Sequence, residues 1–263
     1  MPGFLEYNLG AQLQRAEIVA LSDVHAGDPY FVESEFLSLL KWVMDEPNRF
    51  VILNGDLANI AIKTGKSDAY AATMTPDEEV YYLVDRLRPL AKGQRVLVST
   101  SGNHEERITK NDSLDPAKTI AKFLEVPYFR EGVVLFIRLG RSARRTGRHD
   151  AEPVPYLFYV THGSAGGRKG GASLNRMEDS SLNVEGVDVV VVGHTHHPIA
   201  SKNMTIVPDV HNKKLIERER AYVNAGAFMR WGGYAEAKQY TPGSRSMPVV
   251  ELDGTVKRVT LRI

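Results

Sequence analysis

Two different rhythms of apolar and polar residues divide this chain. In the first half, short apolar runs alternate with segments of helical period. Residues 16–21 form an apolar-rich run that predicts a first strand ending at Ser22-Asp23. Residues 33–44 carry Phe36, Leu37, Leu39, Leu40, Val43 and Met44 at helical spacing. Residues 50–53 are continuously apolar and predict a buried strand, whereas 60–74 is a polar connection without a period. Thr75-Pro76-Asp77-Glu78 announces a helix. Thr75 can cap it, Pro76 suits its first position and Glu78 completes a capping box. That helix is expected to end near Leu87, before Pro89. A strand at 95–98 and a helix at 116–124 follow. From Val133 onward the pattern changes. Residues 133–139 and 157–161 predict strands around a stretch of loop composition, 140–155, and 172–182 predict a helix. The β-branched run 187–192 predicts another buried strand, and further strands are expected near 204–208, 215–222, 248–252 and 255–261. Strand–helix alternation followed mostly by strands, with no repeat and no break in composition, predicts a two-sheet α/β sandwich. It is expected to form one domain over residues 1–263.

Composition narrows the chemistry more than the fold. The chain has 263 residues, 43% of them hydrophobic and 25% charged, which suffices for a sizeable core. A formal net charge of +1 supplies no global field to draw in nucleic acid or a membrane, so any basic site must be local. With no cysteine, disulfides, thiolate metal sites and cysteine nucleophiles are excluded, and any metal ligand must be oxygen or nitrogen. The first eight residues lack the pattern of a signal peptide, and no apolar run approaches the ~20 residues needed to span a bilayer. A cytoplasmic protein without a membrane partner is expected, and nothing in the pattern sets an oligomeric state.

Five segments place Asp, Asn or His directly after apolar runs. They are Asp23-Val24-His25, Gly55-Asp56, Gly102-Asn103-His104-Glu105, His162-Gly163 and Gly193-His194-Thr195-His196, and they hold five of the eight histidines. Strand ends of an α/β fold converge on one edge of the sheet, so such residues can meet without further scaffolding. A two-metal hydrolase holds its ions ~3.5–4 Å apart, with one carboxylate shared between them and neutral imidazoles completing the shells. Asp23, His25, Asp56, Asn103, His162, His194 and His196 provide that donor set. Imidazole combined with carboxylate suits Mn, Fe, Zn, Ni or Co better than Ca or Mg alone.

Taken in order, D-x-H, G-D, G-N-H-E, H-G and G-H-T-H resemble the motifs of the calcineurin-like metallophosphoesterase family. They run from Asp23 to His196, about two thirds of the chain. The resemblance implies a four-layer α/β/β/α sandwich with the site at the strand ends, and two divalent ions, of which Mn is the one most expected to support activity. It puts Asp23, His25 and His196 on one metal, Asn103, His162 and His194 on the other, and Asp56 between them. His104 is implied to be catalytic, beside the substrate phosphate and not on a metal, either protonating the leaving group or steadying the transition state. A metal-bridging hydroxide would attack phosphorus in line. Glu105, the next residue, could orient His104 by a hydrogen bond.

Specificity must come from segments between the motifs. Residues 163–171 are glycine-rich and include Arg168 and Lys169, which could meet phosphate oxygens, as could Arg107, three residues after His104. Arg138, Arg141, Arg144, Arg145 and Arg148 could track a nucleic-acid backbone or simply solvate a hairpin. Phe228, Trp231 and Tyr234 could stack a base or pack the core. His197 is expected to point away from the metals, and His149 and His211 receive no role. The segment after Asp56, Leu57-Ala58-Asn59-Ile60, lacks the G-D-x-x-D-R-G pattern of serine/threonine protein phosphatases. A phosphodiesterase acting on a nucleic acid or nucleotide is therefore expected, with DNA or RNA as candidate partners. A phosphomonoesterase is the alternative, and an inactive binding scaffold a more distant one.

Overall fold

Alternate side chains of a strand face two different environments, and in this protein that alternation sets the layers. The computed structural model describes residues 1–63, 68–112, 114–142, 152–164, 170–181, 184–239 and 241–263. In chain order its elements are β1 (Gly3–Asn8), β2 (Arg15–Leu21), α1 (Glu33–Asp45), β3 (Arg49–Asn54), α2 (Pro76–Lys92), β4 (Val96–Thr100), α3 (Glu106–Asp112), α4 (Pro116–Leu124), β5 (Tyr128–Phe129), β6 (Val133–Leu139), β7 (Val154–Val160), α5 (Gly170–Ser181), β8 (Val189–Val192), β9 (Ile199–Asp209), β10 (Lys214–Asn224), α6 (Gly233–Ala237), β11 (Val249–Asp253) and β12 (Val259–Arg262).

The strands form two six-stranded sheets, ordered β1-β6-β7-β8-β10-β9 and β12-β11-β2-β3-β4-β5. Ile18, Ala20, Ile52 and Val98 of one sheet meet Leu135, Ile137, Phe158, Val160, Val189, Val191 and Val223 of the other in the inter-sheet core. The intervening residues Val19, Leu21, Val51 and Leu53 point the other way. They pack on Phe36, Leu40 and Val43 of α1, Val80, Leu83 and Leu87 of α2, and Ile120 and Leu124 of α4. Val190 and Val192 likewise turn from the inter-sheet core toward Met177 of α5. Both faces of the central strands are thus covered, which is why their sequences are apolar without alternation. The result is the expected four-layer α/β/β/α sandwich.

Three differences from the sequence pattern have physical reasons. Helix α2 starts at Pro76, where Glu78 accepts the Thr75 N–H at 2.8 Å, but continues past Pro89 to Lys92. Leu87 and Leu90 are both buried, so packing of the apolar stripe outweighs the one backbone bond that Pro89 removes. Strand β7 begins at Val154, inside the stretch of loop composition, because β6 pairs with it from Val133 to Leu139. Strands β9 and β10 are each 11 residues long, and their outer halves are exposed, so polar positions extend beyond the apolar core of each run. The short elements β1, β5, α3 and α6 have no counterpart in the predicted set. No helix among the described residues is long and apolar enough to cross a membrane.

Candidate metal centre

The strands β2, β3, β4, β7 and β8 end beside the five polar segments. β2, β3 and β4 are mutually parallel, as are β7 and β8. Their C-terminal ends therefore bring residues from both sheets to one edge. Backbone geometry sharpens the convergence. Asp23, His25, Asp56, His194 and His196 all adopt left-handed backbone conformations, with φ of 52°, 50°, 50°, 69° and 56°. Such values are uncommon outside glycine and concentrate at functional sites. Each turns the chain sharply where the strand stops. The turns also press against one another: a Cβ on Gly55 (φ +74°) would lie 2.6 Å from the Gly102 nitrogen, and one on Gly102 would lie 2.2 Å from Asp56 Oδ1.

Each of the two carboxylates has one oxygen held by the backbone and one aimed into the site. Asp23 Oδ2 accepts the His194 N–H at 2.9 Å and the Ser22 hydroxyl at 2.7 Å. Asp23 Oδ1 is buried without a hydrogen-bond partner and lies 3.2 Å from His196 Nε2 and 3.9 Å from His25 Nε2. Asp56 Oδ1 accepts the His104 N–H at 2.8 Å, while its Oδ2 lies 3.2 Å from His162 Nε2 and 4.0 Å from His104 Nε2. The imidazoles are steered from behind in the same way. His162 Nδ1 donates to the Asn54 carbonyl at 2.7 Å, which leaves Nε2 facing Asp56.

Three groups of these side chains have ligand atoms close enough to share an ion: Asp23, His25 and His196; Asp56, His162 and His194; and His25, Asp56 and His104. The third joins the first two. The donor set fits divalent transition ions. The buried Asp23 Oδ1 and His162 Nε2 lack hydrogen-bond partners, and the Nε2 atoms of His25 and His196 face each other at 3.1 Å. Two imidazole nitrogens at that distance share a single proton or a cation between them. Without a cation, charge is balanced by protons. Burial opposes the charged form of His162, but Asp56 outweighs it and raises the imidazole to about 10. His196 is raised by Asp23 against the same penalty. Both carboxyls are pushed up by burial yet held below their ordinary range, Asp23 by His196 and His162, Asp56 by His162 and His104. Burial lowers His25 and His194.

His104 occupies the mouth. Its Nδ1 donates to the Asn59 carbonyl at 2.7 Å, and its Nε2 lies 2.7 Å from Arg107 Nη2. Burial, with Arg107 adding to it and Asp56 opposing, lowers His104 to about 4. Arg107 also donates to the Asn59 carbonyl, at 3.1 Å. Asn103 is exposed. Glu105 does not orient His104 by a hydrogen bond of its own carboxylate. It is fully buried, and its carboxylate accepts the backbone N–H groups of Asp56 (3.0 Å), Leu57 (2.7 Å), Ala58 (3.1 Å) and Gly102 (3.0 Å).

Several other sequence candidates separate. Arg168 and Lys169 lie outside the described residues, as do Arg144, Arg145, Arg148 and His149. Arg138 pairs with Glu6 at 2.9 Å and covers the Phe136 ring, which is a sheet-surface role. Phe228 is core and not a stacking platform: it is 1% exposed and packs edge-on against Phe36. Trp231 is 45% exposed, and the Tyr234 side chain lies outside the described set. His211 is exposed, and His197 sits next to His196 outside all three groups. Reasoning from motifs missed Glu79 of α2, whose carboxylate accepts the Ile60 N–H at 2.8 Å behind Asp56. The available signal was an acidic residue four positions before Leu83, on the buried stripe of an amphipathic helix.

A family model for calcineurin-like phosphoesterases matches residues 16–198. No curated protein matches the chain. Solved structures with a similar arrangement include the calcineurin-like phosphoesterase YfkN from Bacillus subtilis, at 11% identity and TM-score 0.42, covering 95% of this chain and 88% of that one. A metallophosphoesterase from Sphaerobacter thermophilus aligns at 15% identity and TM-score 0.36, covering 93% of this chain and 87% of that one.

Proposed function

The chain belongs to the calcineurin-like phosphoesterase family, and from that premise we propose that it is a dinuclear-metal phosphodiesterase acting on nucleic acids or nucleotides. The observation that carries this reading is the pair of ion-sized groups linked by a third, which shares His25 with one and Asp56 with the other. Asp23, His25 and His196 would hold one ion, Asn103, His162 and His194 the other, and Asp56 would be shared. Bound there, two divalent ions would supply a hydroxide at neutral pH and neutralise charge at the phosphoryl group, with Mn the expected metal and Fe, Zn, Ni or Co compatible with the same donors.

The protein's own groups then set orientation. With Nδ1 tied to Asn59, His104 presents Nε2 to the site as an acceptor. The group that offers N–H donors to a phosphoryl oxygen is Arg107, which His104 aims. This supports the role of steadying the transition state over that of protonating the leaving group. Charge supports a diester. Leu57, Ala58, Asn59 and Ile60 follow Asp56, so the four positions after it carry no cation. Among the described residues, Arg107 is the cation hydrogen-bonded to His104. One guanidinium suits the single charge of a diester better than the dianion of a terminal phosphate.

The test is hydrolysis of bis-p-nitrophenyl phosphate against p-nitrophenyl phosphate with Mn²⁺ and with chelator, extended to linear DNA, RNA and cyclic nucleotides. Diester cleavage that chelator abolishes is expected. A strong monoester preference would overturn the diesterase reading, and activity that survives His104→Ala together with Asp56→Asn would overturn the site.

A further inference from the structure

We propose that Glu79 and Glu105 are positioning residues, two buried carboxylates that clamp the backbone turn at residues 56–60 and so fix Asp56 and the Asn59 carbonyl. The proposal rests on the reading of Asp56 as the ligand common to both ions.

The turn follows β3 and pairs with the chain after β2 at the Ala26–Ala58 bridge, and all five of its residues are buried, so each N–H needs an acceptor. Asp56 donates to Glu105 Oε2, and Leu57 and Ala58 to Glu105 Oε1. Asn59 donates to the Ala26 carbonyl at 3.0 Å, and Ile60 to Glu79 Oε2 at 2.8 Å. Four of the five are therefore held by the two carboxylates. Glu105 also takes the Gly102 N–H, which ties the turn after β3 to the turn after β4. Glu79 also packs against the turn after β2: a Cβ placed on Gly27 (φ +93°) would fall 2.3 Å from Glu79 Oε1, two residues beyond His25.

The backbone conformation of the turn shows that it needs holding. Ile60 has φ +46°, an outlier for a β-branched residue. Such a conformation persists only where surrounding contacts over-determine it, and the Ile60 N–H is the group that Glu79 holds. At the other end, Asp56 has φ +50° with its own N–H on Glu105. Between these fixed ends lies the Asn59 carbonyl, which receives both His104 Nδ1 and Arg107 Nη1. The clamp thus sets three elements at once: the direction of the Asp56 carboxylate, the ring of His104 and the reach of Arg107. Glu79 and Glu105 act on them through the backbone of the turn.

Glu79→Gln, Glu105→Gln and Glu79→Ala separate positioning from mere stability when compared with Val84→Ala, which weakens the packing of the same helix α2 away from the turn. Three readouts are taken: melting temperature, the electron paramagnetic resonance signal of an exchange-coupled Mn²⁺ pair, and kcat and KM on bis-p-nitrophenyl phosphate. Glu105→Gln, which leaves one oxygen for four N–H groups, and Glu79→Ala are expected to fold and to lose the coupled-pair signal in part. Their kcat should fall ~10–100-fold, the range typical for residues that orient metal ligands, with KM little changed. Glu79→Ala should be more severe than Glu79→Gln, which keeps an acceptor for Ile60. Val84→Ala should lower the melting temperature and leave signal and kcat alone. Wild-type signal and kcat in both Glu105→Gln and Glu79→Ala would overturn the proposal, as would losses that merely track melting temperature as in Val84→Ala. If the wild type binds a coupled Mn²⁺ pair but does not cleave the diester, the functional reading fails while the spectra still decide the positioning roles. A wild type without a coupled pair overturns both.

Discussion

Replacing Glu79 with Gln should change how stability depends on pH, and the direction follows from the surroundings of the carboxyl. Glu79 is fully buried on α2, with Oε2 accepting the Ile60 N–H and Oε1 lacking a hydrogen-bond partner. Burial raises its pKa from 4.5 to about 8; the N–H of Ile60 opposes the rise and nearby Glu105 adds to it. Between those values the folded protein keeps a proton that the unfolded chain has lost. Stability from this group is therefore complete below pH 4.5 and declines as pH climbs toward 8. Taken at face value the span sets a ceiling of about 5 kcal/mol, and the higher effective dielectric of real interiors reduces it to about 1–3 kcal/mol. Glu79→Gln keeps an acceptor for Ile60 but cannot titrate. Urea unfolding of both proteins at pH 5, 6, 7 and 8, with chelator to keep metal binding out of the equilibrium, isolates the difference, because other groups cancel in the comparison. The variant is expected to gain about 1–3 kcal/mol relative to wild type between pH 5 and pH 8. A difference that stays constant across that window refutes the argument. A constant difference is what a Glu79 ionised in both states would give.

Asp56→Asn should lower kcat by about 10³-fold or more and reduce bound Mn²⁺ below two per chain by elemental analysis, since Asp56 would be shared by both ions. Gly102→Ala should mimic it, because the new Cβ would sit 2.2 Å from Asp56 Oδ1; wild-type kcat in that variant would contradict the packing described. Arg107→Ala should reduce kcat/KM about 10–100-fold, the equivalent of one lost hydrogen bond to a charged group, with metal content unchanged. Tyr156→Phe should destabilise by about 1–3 kcal/mol in urea without affecting activity. Its buried hydroxyl donates to the Asp253 carbonyl at 2.7 Å and accepts the Arg258 N–H at 2.9 Å, far from the metal groups.

The layers were legible wherever burial alone decided the pattern. Residues 133–139 and 116–124 coincide with β6 and α4, because an amphipathic period is a local property of sequence. Pro89 misled because its local penalty was weighed without Leu90, whose burial on the same helix face is a tertiary fact. The exposed half of β9 was invisible for the opposite reason: its order comes from pairing with β10 and not from an apolar face. In the site, the convergence of Asp23, His25, Asp56, His162, His194 and His196 was legible because each is a metal-capable side chain at a strand end. Glu105 was misassigned because its partners are backbone N–H groups, which every residue carries and no sequence pattern marks. Glu79 was silent for the same reason.

That contrast bears on what maintains the centre. Five positions of the candidate centre with positive φ cost about 1 kcal/mol or more at each left-handed residue. Together they approach the whole net stability of an ordinary domain, about 5–15 kcal/mol. Aspartate tolerates this conformation better than most residues, but Ile60 does not, and it contributes no ligand. Its φ of +46° makes sense only as the far end of a turn whose near end must hold Asp56. The energy that keeps Ile60 there comes from Glu79 and from the helix stripe of Val80, Leu83 and Leu87 that plants it. Two layers away from the reacting atoms, the packing of α2 on β2 and β3 is therefore part of what aims the Asp56 carboxylate. Mutations that loosen α2 at Glu79 should damage the centre before they unfold the protein.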